Sequence, residues 1–479
     1  MHDRAAKAAG PTATVAGAPR KRRGIARVRH WFRDGPLRRM FKNAGILLGG
    51  KTMAGLLELG AFALTARALG PAPFGLLVMV MTYARLIAGL TKFQSWQAVI
   101  HYGARCLEQN RRADFQGLIK FTALLDVGSA IVGAAIAVAA APLAGQWLGW
   151  DADTVRLAML GSLLVLFTIS ATPTGILRLF DRFDLLAAQS TVTPALRLLG
   201  SAIAAFSGAG LAGFVVVWLA SGIAGRLALV VLGWRELARQ GLIAGMTWSL
   251  RRLVKPHPGL WRFVWSANVS VTLNTVTERA RPLVIGWLLG PAAVALFEVA
   301  RRFADAIIKP ARHLGQSIYP ELARLAAQGA GKPLRKLVLR GAAVAGGGAL
   351  VAFVIIAIVG QDLIGLIVGA SYTGAYHLMV LLALASAISV AVFPIGPVMF
   401  TTGRAHILLL LTFILSTLYF GLLVILLGQM GLIGAGIAGV ARAATVLVVL
   451  AVIMRRLPAF LEARRDGPNA DSINSNPRA

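Results

Sequence analysis

Apolar residues in this chain come in runs of about 20, long enough to cross a bilayer as a helix. The runs follow one another from residue 43 almost to the end, and VGSAIVGAAIAVAAAPLAG from Val127 is one of them. About twelve helical spans are predicted: 43–69, 74–99, 118–142, 154–177, 186–206, 211–233, 263–288, 294–316, 337–360, 376–400, 407–427 and 432–454. A soluble core has no need of so many. The expected class is therefore an all-α integral membrane protein.

The polar connections alternate in charge. GPAP at 70–73, LAGQWLGWDADTV at 143–155, SGAGLA at 207–212, LGPAA at 289–293, QDLIGLIVGASYTGA at 361–375 and GQMGL at 428–432 hold no Lys or Arg. The intervening connections hold Arg105, Arg111 and Arg112, then Arg178 and Arg182, then Arg235, Arg239, Arg251, Arg252 and Lys255. Lys332, Arg335 and Lys336, then Arg404, then Arg455, Arg456, Arg464 and Arg465 continue the series. Positive charge marks the cytoplasmic side, so both termini are expected in the cytoplasm.

Composition agrees with this reading. Of 479 residues, 57% are apolar and 14% charged, and the net charge is +30. Soluble domains carry about 25% charged residues. So basic a soluble protein would suggest nucleic acid; here the excess lies between apolar runs and no nucleic-acid partner is expected. The single cysteine, Cys106, sits in a predicted basic loop and can build neither an internal disulfide nor a metal cluster. Residues 1–42 form a partly disordered basic arm, with RKRR at 20–23 and with Trp31 and Phe32 suited to a headgroup interface. A basic linker at 234–262 separates helices 1–6 (43–233) from helices 7–12 (263–454), and 455–479 is a cytoplasmic tail.

One motif points elsewhere. GILLGGKT at 45–52 fits the phosphate-loop pattern G-x-x-x-x-G-K-[ST]. That loop needs a strand before it and a soluble helix after it. LRRMFKNA precedes it and a membrane span follows, so no nucleotide site is expected.

The two halves resemble each other. At an offset of 220, Glu58 meets Glu278, Leu69-Gly70-Pro71-Ala72 meets Leu289-Gly290-Pro291-Ala292, and Leu76, Ala84 and Ile87 meet Leu296, Ala304 and Ile307. A second pair aligns Pro173 with Pro394 and Gly175 with Gly396. Six helices is an even number, so the repeats are parallel, and a substrate site between them is expected.

Ionisable groups inside spans are costly and face an interior or a cavity. Arg85, Arg197, Arg226 and Arg442 have no acid on their own helix and are the first candidates to line such a cavity, with Lys51 and Lys92. Arg67, near an outer end, can snorkel instead. Glu298, Arg302, Asp305 and Lys309 form a stripe that can neutralise itself, and Glu278 can pair with Arg281. Glu58, Glu278 and Asp126 are the acids that could couple transport to protons or sodium, or that balance Lys51 and Arg281. Basic groups outnumber acidic ones, which favours an anionic substrate, because Arg forks donate paired hydrogen bonds to phosphate. No other cofactor is expected. Internal prolines at 173, 194, 282, 394 and 397 suggest helices that bend.

LTARALGPAPFGLLVMVMTYARLI at 64–87, NVSVTLNTVTERARPLVIGWLLGPAAVALFEVARRFADAI at 268–307 and MFTTGRAH at 399–406 resemble the polysaccharide-transport family of the multidrug/oligosaccharidyl-lipid/polysaccharide exporter superfamily. Glu278-Arg279 stands where that family has an Asp-Arg pair. The resemblance implies two six-helix lobes around a central cavity. It also implies a flippase carrying a polyprenyl-pyrophosphate-linked oligosaccharide across the bacterial inner membrane, with a polysaccharide polymerase and a chain-length regulator as partners. An exporter of small molecules on the same fold is the main alternative. A membrane glycosyl polymerase would need a catalytic constellation on a large loop, and the longest outward loop has only about 15 residues.

Overall fold

The computed structural model describes residues 35–246, 257–327, 331–392, 399 and 405–465. Trp31 and Phe32 of the arm, Arg251, Arg252 and Lys255 of the linker, Pro394, Pro397 and Arg404, and the tail from 466 lie outside the described residues.

The described chain is helical, and nine of its helical stretches are long and apolar enough to cross a membrane. The first repeat holds α1 (Gly35–Leu69), α2 (Pro71–Thr91), α3 (Ser95–Glu108), α4 (Arg112–Leu148), α5 (Ala152–Leu166), α6 (Ala171–Leu179), α7 (Phe183–Phe206) and α8 (Gly210–Arg239). The second holds α9 (Leu260–Leu289), α10 (Pro291–Ala327), α11 (Gly331–Ile367), a 3₁₀ turn (Ala370–Ala375), α12 (Tyr376–Val392), α13 (Ala405–Met430) and α14 (Leu432–Arg465). The predicted spans map onto these helices, with α2–α3 and α5–α6 each forming one interrupted span.

The Gly-Pro corners show the repeat in the backbone. Gly70 has φ 73° and ψ 174°, and Gly290 has φ 82° and ψ 176°. Gly70 N–H donates to the Ala66 carbonyl at 2.9 Å, and Gly290 N–H to the Gly286 carbonyl at 3.0 Å. Only glycine takes this φ without strain. The following proline opens the next helix, where its missing N–H costs nothing.

The corners also bring the repeats together. The second helix of the first repeat, α2, packs against α9 and α10 of the second. A Cβ on Gly75 would lie 1.8 Å from the Pro291 carbonyl oxygen, so backbone meets backbone there. Arg67 Nε donates to the Ile367 carbonyl at 3.1 Å, and its Nη2 reaches the Leu366 carbonyl. These are orphan acceptors at the C-terminus of α11. Tyr372 Oη donates to the Ala66 carbonyl at 2.8 Å, and the rings of Phe62, Phe74 and Tyr372 meet edge to face. Arg67, exposed at this end, thus fastens the two repeats beside the Gly-Pro corner.

Residues 45–52 lie wholly inside α1, in keeping with the predicted first span, and form no loop. Two local expectations change. Cys106 lies in α3 rather than a loop, buried among Val99, Phe115, Ile119, Ile176 and Leu237. The second and fourth spans are not continuous. Lys92 leaves α2 with extended backbone (φ −72°, ψ 127°), and residues 167–170 break α5 from α6. Asp126 of α4 sits between the breaks. It accepts from the Ser95 hydroxyl, at the first residue of α3, and from the Thr172 N–H of α6 at 2.7 Å. A carboxylate complements the positive ends of two helices at once. Lys92 Nζ lies 3.2 Å from Ser170 Oγ and closes the same junction. Pro173 stands in the first turn of α6 and bends no helix.

Candidate functional site

Midway along the interface of the repeats lies a cavity of about 270 Å³. The first repeat supplies Glu58 and Phe62 from α1, Val78, Met81, Thr82 and Arg85 from α2, and Trp218 from α8. The second supplies Glu278, Arg279 and Pro282 from α9, and Glu298, Arg301 and Arg302 from α10.

The charges are ordered by pairing. Glu58 accepts from Arg197 Nη1 at 2.7 Å and lies 3.6 Å from Arg302 Nη2, a contact between repeats. Arg301 bridges Glu298 at 2.5 Å and Asp305 at 2.7 Å along its own helix. Arg279 Nη1 donates to the Arg85 carbonyl at 2.9 Å, again across the interface. Glu278 is held loosely, 3.9 Å from Arg281, with its side chain 64% exposed. Trp218 is a platform under two cations, with Arg197 Cζ at 4.6 Å and Arg85 Cζ at 5.9 Å from its ring. Four arginines face three glutamates in the lining, so acids offset much of the positive charge.

The expected residues are divided among several places. Arg85 lines this cavity. Arg197 is buried behind it against Glu58 and Trp218. Arg442 lines a second cavity inside the second repeat. Arg226 donates to the Leu164 carbonyl at 2.5 Å, within the first repeat. Lys92 and Asp126 belong to the junction of broken helices described above. Lys51 is on an exposed face of α1. Glu58 and Glu278 both face the cavity, one from each repeat.

Two pairings differ from expectation. Glu58 is balanced by Arg197 and Arg302 rather than Lys51, because α1 packs along α7. The self-neutralising residue of α10 is Arg301 rather than Arg302, which leaves the stripe for Glu58 and lies 4.2 Å from the Phe62 ring centroid. The side chain of Lys309 lies outside the described residues. Trp218 carries no charge and stood out only as one aromatic in an apolar run.

Solved membrane transporters share this helical fold. An inward-facing multidrug resistance MATE family transporter superposes with a TM-score of 0.68 at 15% identity, covering 86% of this chain and 96% of that one. The lipid II flippase MurJ in an inward closed conformation gives 0.65 at 11% identity, covering 90% and 93%. Residues 40–326 match the polysaccharide biosynthesis protein family, and the chain belongs to it. Inner membrane protein YghQ of Escherichia coli (strain K12) is 37% identical over 352 residues, 74% of this chain and 99% of that protein.

Proposed function

We propose that this protein is a flippase that moves a polyprenyl-pyrophosphate-linked oligosaccharide across a bacterial cytoplasmic membrane by alternating access, for surface polysaccharide or O-antigen export. The observation that carries the reading is the cavity between the repeats, where Arg85, Arg279, Arg301 and Arg302 surround one compartment beside the Trp218 ring. Guanidinium forks suit a pyrophosphate, and indole rings suit the apolar face of a sugar. Both termini lie on the cytoplasmic side in this reading, so the sealed Gly-Pro end faces outward and the cavity is reached from the cytoplasm. A polysaccharide polymerase and a chain-length regulator receive the product.

Rocking of one repeat against the other moves the cavity between faces, as in other repeat-built transporters. The cycle needs no enzymatic step. Among the three candidate coupling acids, Glu278 is the most exposed, and its ion pair, with Arg281 at 3.9 Å, is longer than that of Glu58 with Arg197 at 2.7 Å, which makes it our coupling candidate. Glu58 is already committed to Arg197, and Asp126 to two helix ends.

The test is translocation of a fluorescent lipid-linked oligosaccharide in proteoliposomes, with loss of surface polysaccharide in an Arg85→Ala strain at normal protein level. Unchanged transport in both assays removes Arg85 from the site. Export of small organic cations is the second reading, favoured by Glu58, Glu278 and Glu298 in the lining. It predicts cation efflux abolished by Glu278→Gln and no dependence on the lipid-linked substrate.

A further inference from the structure

A larger cavity of about 460 Å³ lies within the second repeat, between α9, α10, α12, α13 and α14. It shares Glu278 and Arg301 with the central cavity, and these form the wall between the two. Deeper inside, Arg281 of α9 and Arg442 of α14 approach a single aromatic ring. Their Cζ atoms lie 5.1 Å and 5.4 Å from the Tyr419 centroid. The ring offers an electrostatic contact, and it accepts none of the in-plane hydrogen bonds of a guanidinium.

Those hydrogen bonds are missing. Nε and Nη2 of Arg281 and Nε of Arg442 are buried and meet no hydrogen-bond partner among the described residues. Glu278, at 3.9 Å from Arg281, is beyond hydrogen-bond distance and mostly exposed. Asp305 is met by Arg301 at 2.7 Å. Buried donors without acceptors are rare in folded proteins and destabilise them, more so when charged. Two like charges on one ring add repulsion. A ligand that supplies acceptors and negative charge removes both costs.

We propose that this cavity is an oxyanion site, taking a carboxylate or phosphate group between Arg281 and Arg442. Each Arg offers a planar fork, and a two-oxygen acceptor is the geometry that satisfies it. Ser386 of α12 adds a hydroxyl to the same lining. The volume falls in the range of small-molecule sites, about 300–1,000 Å³, and accommodates a sugar ring as well as a bare anion. The oxyanion has two possible sources, an acidic sugar of the transported lipid or a free anion moved with or against it. The site itself follows from orphaned donors and does not depend on the flippase reading.

The experiment uses the purified full chain in detergent. Thermal unfolding is compared in potassium phosphate, potassium glucuronate and potassium chloride at equal ionic strength. At saturation, one of the two oxyanions raises the midpoint by at least about 2 °C over chloride, as expected of a ligand bound only by the folded state. Arg281→Gln and Arg442→Gln each abolish the shift, and Arg279→Gln, which lines only the central cavity, keeps it. Independently of any variant, phosphate or glucuronate slows modification of Arg281 and Arg442 by phenylglyoxal in the unaltered protein, read by peptide mass spectrometry. No shift over chloride together with no protection overturns the proposal, as does a shift that survives in both Arg variants. Radiolabelled phosphate flux lost in Arg442→Gln proteoliposomes assigns the site to a free anion. Absence of such flux, with reduced translocation of a glucuronate-bearing lipid-linked oligosaccharide, assigns it to the substrate. Failure of the flippase reading leaves the unfolding result intact, so the two proposals fail separately.

Discussion

Arg197 of α7 donates to Glu58 of α1 at 2.7 Å, and this one pair ties the two helices at the level of the central cavity. Trp218 lies beneath the guanidinium and Arg302 reaches the same carboxylate from the other repeat. Removing one partner of a fully buried pair costs about 3–5 kcal/mol, but Glu58 is partly exposed and keeps Arg302. Arg197→Ala is therefore expected to lose less, about 1–3 kcal/mol, measured by thermal or denaturant unfolding in micelles. A double replacement of both partners by Leu is expected to recover part of the loss. A loss below about 1 kcal/mol for the single variant would show that the pair is not structural.

Asp126 gives a second test. Its carboxylate is the shared acceptor for the starts of α3 and α6. Asp126→Ala removes one cap on a backbone N–H, at Thr172, and one hydrogen bond from the Ser95 hydroxyl, each worth about 1 kcal/mol. Amide exchange at Thr172 is expected to accelerate about tenfold or more, with Asp126→Asn intermediate because one oxygen remains. Unchanged exchange at Thr172 would refute the capping role.

The seal at the Gly-Pro end rests on Arg67 and Tyr372. A net hydrogen bond contributes about 1 kcal/mol, roughly a fivefold population ratio. Tyr372→Phe is expected to raise labelling of an engineered cysteine at Ala375, which is buried in the sealed state, about fivefold with a membrane-impermeant maleimide, in a Cys106→Ser background. Arg67→Ala, which removes two acceptor contacts, is expected to do more. Equal labelling in all variants would mean that packing alone holds the seal.

Outside the spans, Arg182 forks onto Asp184 at 3.1 and 2.9 Å and also reaches Glu236 at 2.5 Å. Hydrogen bonding from Arg182 holds the Asp184 carboxyl below its ordinary value. A depressed folded value means that the pair stabilises the protein above the unfolded carboxyl range, near pH 4, and loses that contribution as pH falls through the folded value. The stability difference between the natural chain and Asp184→Asn is therefore expected to be constant above about pH 5 and to shrink below about pH 4. A difference that grows on acidification would reverse the sign of this argument.

Much of the architecture is legible in the sequence because a bilayer imposes length. Twelve apolar runs and two Leu-Gly-Pro-Ala corners carry over to the helices with few changes. The break at 92–94, with neither Gly nor Pro, was not legible, and for the break at 167–170 the only signal was Pro173 just after it. Asp126, which joins the two breaks, comes from another helix. The site was less legible than the fold for the same reason. Spacing along α10 suits Glu298 to either Arg301 or Arg302, and only the neighbouring Glu58 decides which one turns away. Arg226 and Lys92 satisfied the rule that buried charge faces polar company, but their company is a carbonyl and a hydroxyl within the first repeat rather than a cavity.

The matched corners at Gly70 and Gly290 have one more consequence. They put residues 220 apart in equivalent positions, and Glu58 with Glu278 keeps the same charge there. Arg85 falls on Asp305, and Ala61 on Arg281. The corners are thus matched in backbone while the charge around them is not. On the flippase reading, a charged cargo between the repeats has different energies against its two walls. The two end states of a rocking motion would then be unequal in free energy even in a membrane with no voltage across it, a built-in preference for one of them.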